Sequence, residues 1–386
     1  MTPALRFLRW TFWQWVFVLV MLGGLYAAFV RYTQGLGSST ALSDLFPWGL
    51  WIGFDVLCGV GLAAGGFTLA AMVHIFNIER YKPILRPAIL TAFLGYLLVI
   101  LALLFDLGRP DRIWHPLVMW NPHSVMFEVA WCVMLYTTVL ALEFSPVVFE
   151  RFGWHTPVRW MRAVSIPLVI AGVLLSTLHQ SSLGSLYLIV PHKLYPLWYS
   201  PLLPVFFFIS AIAVGFAMTI FESYHSAKAF GKRLEMSLLT SMGRVLAVVL
   251  LVYLVLRGQD LWRLGVLARL TEARSETYLF LLEIVFTLGA MLLLFQQRIR
   301  TSQTGLYFAA LLYIFGFITN RLNVSITGME AGSGTHYLPR WTEVMVTLAI
   351  VALGFAIFRF AAKHLPVFAE EKPSVRMAAE LVRVKA

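Results

Sequence analysis

The sequence predicts an all-α fold, a polytopic membrane protein with about ten transmembrane helices in a helical bundle. Three observations predict it. Hydrophobic residues make up 60% of the 386-residue chain and charged residues 13%, whereas a soluble globular protein carries about 25% charged residues. Mean hydropathy is +0.79. Apolar runs long enough to cross a bilayer, about 20 residues at a helical rise of 1.5 Å, recur from end to end with polar loops between them.

The first run, residues 10–30, follows Arg6 and Arg9. No small-residue cleavage site follows it, so it reads as a retained helix rather than a signal peptide. The second, 49–76, begins just after Pro47 and contains the small-residue stretch 59–66 (GVGLAAGG). Small residues there let helices approach closely; a nucleotide loop would need a preceding strand. The third, 84–105, ends at a loop carrying Asp106, Arg109 and His123, and the fourth, 124–148, starts behind Pro122. The fifth, 158–178, and the sixth, 202–221, flank a long loop that opens with His179 and Gln180. Then follow 236–256, 278–296, the short ninth run 305–318, and 341–360. A polar tail starts near Lys363. No soluble module or long linker interrupts these runs, so residues 1–386 read as a single integral membrane domain.

Charge orients the bundle. An even number of spans puts both termini on one side. The opposite side holds Arg31, Arg109, Arg112, Lys193, Arg257, Arg263, Arg269, Arg274, Arg321 and Arg340, ten of the 30 Lys and Arg. The remaining twenty fall on the terminal side, so the positive-inside rule predicts that both termini are cytoplasmic. This topology accounts for the net charge of +11 without a nucleic-acid partner, which would need a basic stripe on a folded soluble surface. Most of the 13 Trp fall near predicted span ends, as an aromatic belt does.

The two cysteines, Cys58 and Cys132, each lie inside a span, and no CxxC occurs. The chain therefore lacks the ligands for a four-cysteine iron–sulfur cluster or an attached c-type haem. Two small buried apolar side chains explain both residues. For a b-type haem, only His74 and His225 lie at comparable depth, and both fall among interfacial charges, which disfavours it. No HxxxH or HxxE spacing within a span marks a metal site.

The informative residues are four carboxylates inside predicted spans: Asp55, Glu128, Glu283 and Glu343. A charge at the bilayer centre costs about 2.5–3.5 kcal/mol on insertion scales, so such a residue usually marks a proton, ion or substrate site. Asp55 lies eight residues past Pro47, roughly 12 Å into its span, and Glu128 six past Pro122, roughly 9 Å into its own. Glu283 and Glu343 lie nearer span starts, where the helix dipole alone favours a carboxylate. All four enter from the side away from the termini, as do Asp106, Arg109, His123, His179, Gln180, Arg321, His336 and Arg340. An acid-rich layer with imidazole and basic partners suits coupled proton and electron chemistry on a lipid-soluble molecule.

Several segments together form a known pattern: 47–55 (PWGLWIGFD), 105–110 (FDLGRP), 121–128 (NPHSVMFE), 141–144 (ALEF), 149–154 (FERFGW), 178–186 (LHQSSLGSL), 192–198 (HKLYPLW) and the region ending in YLPRWTE at Glu343. In this order, over about 350 residues, the chain resembles the NrfD/polysulfide-reductase membrane-subunit family. Within that family the likeness is greatest to the HybB type, the integral membrane subunit of nickel–iron hydrogenase 2. The resemblance implies a haem-free helical anchor in the bacterial inner membrane that binds a quinone, menaquinone or ubiquinone. It implies electron exchange with a periplasmic ferredoxin-like iron–sulfur subunit and, through it, with a catalytic subunit such as a nickel–iron hydrogenase. Carried onto this chain, it implies proton handling by Asp55 and Glu128, and a quinone pocket or entrance formed by His179, Gln180, Asp106, Arg109 and His123. One departure stands out: the first span offers only Gln14, Tyr26 and aromatic residues where some members carry Asn and His. The same architecture serves sulfite-reduction-associated and molybdopterin-enzyme complexes. A different class, a proton channel or transporter, would show inverted repeats or broken helices, and the sequence displays no clear repeat.

Overall fold

The computed structural model describes residues 10–231 and 234–368. Among the described residues there is no strand, and ten helices are long and apolar enough to cross a membrane. They are α1 (Phe12–Gln34), α2 (Trp51–Ile75), α3 (Glu79–Asp106), α4 (Val125–Arg151), α5 (Ser165–Ser185), α6 (Leu203–Phe230), α7 (Met236–Arg263), α8 (Ser275–Phe295), α9 (Gln303–Ser333) and α10 (Trp341–His364). Successive helices run in opposite directions. The end of α1 meets the end of α3 through Arg31 and Phe105, and the start of α3 meets the end of α4 through Arg86 and Glu150. The start of α1 and the end of α10 thus share one face, the terminal face; the starts of α2 and α10 share the opposite face.

Helix α2 is the centre of the bundle, with 83% of its apolar window buried against 17% for α1. Peripheral α1 packs on α10 and turns Phe12, Leu19, Leu22, Leu25 and Phe29 outward, as a helix solvated by lipid does. The interior divides along the membrane normal. Toward the terminal face it is aliphatic, with Leu69, Leu90, Leu246, Leu250 and Leu294. Toward the opposite face it is aromatic, with Tyr96, Tyr136, Tyr187, Trp198 and Phe207.

Three features depart from the sequence expectation. The ninth span is not short: α9 runs for 31 residues, Gln303–Ser333. Asn320, Arg321 and Asn323 interrupt its hydropathy, yet they point into the bundle, where other side chains bond them. The fifth span starts later than expected, because His155–Ala163 forms a separate short helix carrying Arg159 and Arg162 ahead of α5. The tail expected from about Lys363 begins packed: Val367 is buried and Pro366 O accepts from Arg86 Nη1 at 3.1 Å. Its remainder, 369–386, lies outside the described residues, as do Arg6, Arg9, Lys232 and Arg233.

Two helices widen locally into π-helical turns, Trp51–Cys58 and Ala71–Ile75 in α2 and Asn323–Thr327 in α9. The turns at Trp51–Cys58 and Asn323–Thr327 pack on one another. A Cβ on Gly53 would collide with Ser325 Oγ, so glycine is what lets the two backbones meet. Such turns are frequent at functional sites. Helix α4 contains Pro146, which removes one backbone donor; Ser145 Oγ donates instead to the freed Leu142 carbonyl at 2.8 Å, the repair expected inside a bilayer.

Candidate functional site

Four helix ends converge beneath the opposite face and bring three carboxylates together. Asp55, on the π-helical turn of α2, is buried, and Thr347 Oγ1 of α10 donates to its Oδ2 at 2.6 Å. Asp106 ends α3, and its Oδ1 is buried without a hydrogen-bond partner. Arg31, at the end of α1, donates to the Phe105 and Leu107 carbonyls at 2.6 and 2.7 Å. It thereby satisfies carbonyls that the end of α3 leaves free. Glu343, in the first turn of α10, accepts 2.8 Å bonds from the Ala41 and Arg340 amides and a short bond from Tyr337 Oη. Its backbone carbonyl accepts from Trp51 Nε1 at 3.2 Å. Glu343 is thus fully engaged in holding the loop before α2 against α10, whereas Asp55 and Asp106 keep capacity for a ligand.

Depth counted along the sequence does not match burial. Glu128, expected deep, lies in the first turn of α4 and is half-buried. Glu283 and Glu343, expected near the interface, are buried at 3% and 0% exposure. The reason is lateral: α4 stands toward the rim of the bundle, with 28% of its apolar window buried, whereas Glu283 and Glu343 face inward. His123 is exposed in the loop before α4. Arg109 is exposed and bonds Asp111 at 2.9 Å rather than Asp106. That bond holds the Asp111 carboxyl below its usual range, and solvent screens an exposed pair of this kind.

Glu283 forms a second centre. Its Oε2 accepts from Asn323 Nδ2 at 2.9 Å and Trp198 Nε1 at 3.1 Å, and its Oε1 from Asn320 Nδ2 at 3.2 Å. Arg257 lies nearby, paired with Asp260 at 3.4 Å and bonded to the Leu197 carbonyl at 2.5 Å. Arg321, 1% exposed, donates to Ser210 Oγ and Asn320 Oδ1 at 2.8 Å each and sits over the Phe207 ring. The buried charges balance in part, as charges in an apolar interior must.

His179 and Gln180 form a third group, deeper than the loop position the sequence implied. Both belong to α5 and are buried. His179 Nδ1 and Tyr96 Oη lie 2.7 Å apart, and Gln180 Nε2 donates to the Val60 carbonyl at 3.2 Å. His179 Nε2 and Gln180 Oε1 have no partner. The sequence residues therefore fall into separate groups: Asp55 with Asp106 near the face, His179 with Gln180 further in, and Glu128, His123 and Arg109 toward the surface.

Sequence reasoning missed three intramembrane acids, of which Asp260 of α7 pairs with Arg257 as above. Glu143 of α4 has a buried, unpartnered Oε1, and Glu222 of α6 accepts from Thr91 Oγ1 at 2.7 Å. The heptad spacing of Tyr136, Glu143 and Glu150 on α4 was the available signal, because residues two turns apart share a face. His74 and His225 are both exposed, and His225 Nε2 lies 3.0 Å from Tyr307 Oη. Among the described residues, no group of three or more His, Cys, Asp or Glu stands together to hold a metal ion.

A family model described as "Polysulphide reductase, NrfD" matches residues 38–331. A protein of Nitratidesulfovibrio vulgaris is 38% identical over 370 residues, 91% of this chain and 93% of that one. The "Probable Ni/Fe-hydrogenase 2 b-type cytochrome subunit" of Escherichia coli is 35% identical over 342 residues, 87% of each chain. The "Menaquinone reductase, integral membrane subunit" of N. vulgaris is 30% identical over 398 residues, 95% of this chain and 93% of that one. With ten apolar helices and a family model spanning most of its length, the chain is an integral, multi-pass membrane protein that belongs to the NrfD family.

Proposed function

We propose that this chain is the quinone-reactive membrane subunit of a respiratory redox complex in the bacterial inner membrane. Electrons pass between a separate ferredoxin-like iron–sulfur subunit on the opposite face and a quinone in the bundle, and the catalytic subunit upstream is a nickel–iron hydrogenase. The observation that carries this reading is the similarity, over 87% or more of the chain, to subunits whose names specify a nickel–iron hydrogenase and a menaquinone reductase. The excess of Lys and Arg on the terminal side supports a cytoplasmic terminal face and a periplasmic donor.

The residues fit a quinone as substrate. A quinone head group offers two carbonyl oxygens, which become hydroxyls on reduction. Asp55, held by one neutral donor, and Asp106, with an unpartnered oxygen, supply carboxyls at the depth where such a head group enters. Protonated, either donates to a quinone oxygen; ionised, either accepts from a quinol hydroxyl. Glu128, with His123 and Arg109, lines the approach from the surface; His179 and Gln180 face the inner side of the site. In this reading the chain carries no haem, because His74 and His225 are exposed and the buried His179 has one nitrogen beside Tyr96.

The test is turnover of a menaquinone analogue by the complex purified with its native partners. Quinone reduction at the expense of the donor substrate supports the reading. A complex that reduces artificial dyes but not quinone refutes it. A haem alpha band in the reduced-minus-oxidised spectrum of the purified chain refutes the haem-free part.

A further inference from the structure

A basic and aromatic segment joins α4 to α5 at the terminal face. Gly153, at φ +70°, turns the chain sharply in a conformation that glycine adopts without strain. The short helix His155–Ala163 follows. Between Phe144 and Leu178 the chain carries three Arg, at positions 151, 159 and 162, and one acid, Glu150. Phe152, Trp154 and Trp160 are all exposed.

The short helix has two unlike flanks. Val158 is buried, and the helix packs on α4 and α5. At about 100° per residue, His155, Arg159 and Arg162 fall to one side of Val158, and Pro157, Trp160 and Met161 to the other. A helix divided in this way, set between the ends of two spans, lies in the membrane interface with its apolar flank toward the acyl chains. Its arginines then stand at head-group level, where exposed Trp side chains also gather.

The arginines keep free donors. Arg162 Nη2 donates to Glu150 Oε1 at 3.1 Å, but that carboxylate also takes Arg86 at 2.9 Å, so the trio stays net positive. Arg159 is exposed and has no hydrogen bond or ion pair with the described residues. Three residues apart, Arg159 and Arg162 are neighbours on one face, and their planar N–H forks match the oxygens of a phosphodiester.

A second observation comes from α5. Ile166, Ile170, Leu174 and Leu178 are all exposed, and their four-residue spacing sets them in one stripe. The stripe starts just after the short helix and runs for roughly 18 Å, slightly more than half of the hydrocarbon core of about 30 Å. It matches the length of acyl chains in one leaflet. A soluble phosphate would use the arginines and leave the stripe bare; a lipid uses both.

We propose that the corner between α4 and α5 is a binding site for an anionic phospholipid of the leaflet at the terminal face. Its phosphate sits between Arg159 and Arg162, and its acyl chains lie along the stripe from Ile166 to Leu178. Trp160 rests at the boundary between head group and chains. The lipid ties this corner to the membrane surface. The proposal goes beyond the quinone reading and stands whether or not a quinone is the substrate.

The test is native mass spectrometry of the full chain in detergent, titrated with dioleoyl phosphatidylglycerol, dioleoyl phosphatidylcholine or inorganic phosphate. The wild type is expected to retain phosphatidylglycerol saturably, and to retain phosphatidylcholine and free phosphate far more weakly. Arg159→Gln is expected to weaken phosphatidylglycerol binding about fivefold, the contribution of one Arg near a membrane surface. Arg159→Gln with Arg162→Gln is expected to weaken it by a further factor of about five. Arg159→Gln breaks no ion pair, so it serves alone if the double variant fails to fold. Arg298→Gln, between α8 and α9, is expected to bind as the wild type does. Equal retention of the two lipids, retention of phosphate matching that of phosphatidylglycerol, or unchanged affinity in the Arg159 and Arg162 variants would overturn the site. Loss of the lipid when the chain is purified with its native partners would give this corner to a protein and overturn it as well.

Discussion

Thr347 Oγ1 donates a 2.6 Å hydrogen bond to Asp55 Oδ2, joining α10 to the π-helical opening of α2. Glu283 and Glu343 are each held by three donors. Asp55 is tied by this single side-chain hydroxyl, a looser arrangement that suits a carboxyl changing its protonation state during turnover.

Thr347→Val keeps the shape and removes the donor. A lost bond to a buried polar group costs about 1–3 kcal/mol, and about 1.4 kcal/mol is tenfold in rate. Quinone turnover is expected to fall about tenfold with assembly unchanged, and Thr347→Ser to stay close to wild type. Steady-state assays of the three proteins check this; equal rates for Val and Thr would remove the bond from the account.

Glu283→Ala leaves Trp198 Nε1 and Asn320 Nδ2 without their acceptor, while Asn323 Nδ2 keeps the Leu279 carbonyl. At about 1–3 kcal/mol for each unsatisfied buried group, the variant is expected to lose several degrees of unfolding temperature in detergent. Glu283→Gln keeps an acceptor and is expected to lose less. A thermal melt that does not distinguish Ala from wild type would contradict a structural role for this acid.

Glu343→Ala frees the amides of Ala41 and Arg340. Hydrogen exchange at those two amides is expected to speed up by about a factor of ten or more, since one charge-assisted bond contributes about 1.5–3 kcal/mol. Exchange elsewhere in α10 should change little. Unchanged protection at Ala41 would show that the loop before α2 is held by something else.

Tyr337, in the loop between α9 and α10, has its phenol pushed upward by burial and by the carboxylate of Glu343. A folded pKa above the unfolded value of about 10 gives stability that is fully present below pH 10 and lost as pH rises beyond it. Tyr337→Phe is expected to flatten the alkaline limb of the stability curve, measured by melts between about pH 8 and pH 11. An identical alkaline slope in both proteins would contradict the assignment.

What could be read in the sequence follows from what leaves a compositional trace. Nine of the ten spans stand out because charges are sparse within them. The ninth was underestimated because Asn320, Arg321 and Asn323 lower its hydropathy, and nothing in one sequence says that Asn320 and Asn323 bond Glu283. The π-helical turns are set by backbone pairing and the approach of Gly53 to Ser325, which no residue pattern announces. Asp55 could be singled out as an acid in an apolar span, but its partner Thr347 is 292 residues away. Glu128 misled in the other direction: its count from Pro122 measures depth along the normal, not distance from the bundle axis. Glu143 lay inside the fourth span as drawn, and Glu222 one residue beyond the sixth; only the packing of α4 on α5 and of α6 on α3 gives them a setting.

The central claim is that Asp55 handles protons for a bound quinone, and Asp55→Asn tests it most directly. The amide is nearly isosteric and still accepts from Thr347, so the fold and the complex are expected to persist. Quinone-coupled activity of the purified complex is expected to fall at least a hundredfold, while artificial-dye activity of the catalytic subunit stays at the wild-type level. Wild-type quinone turnover by the Asp55→Asn complex would contradict the account.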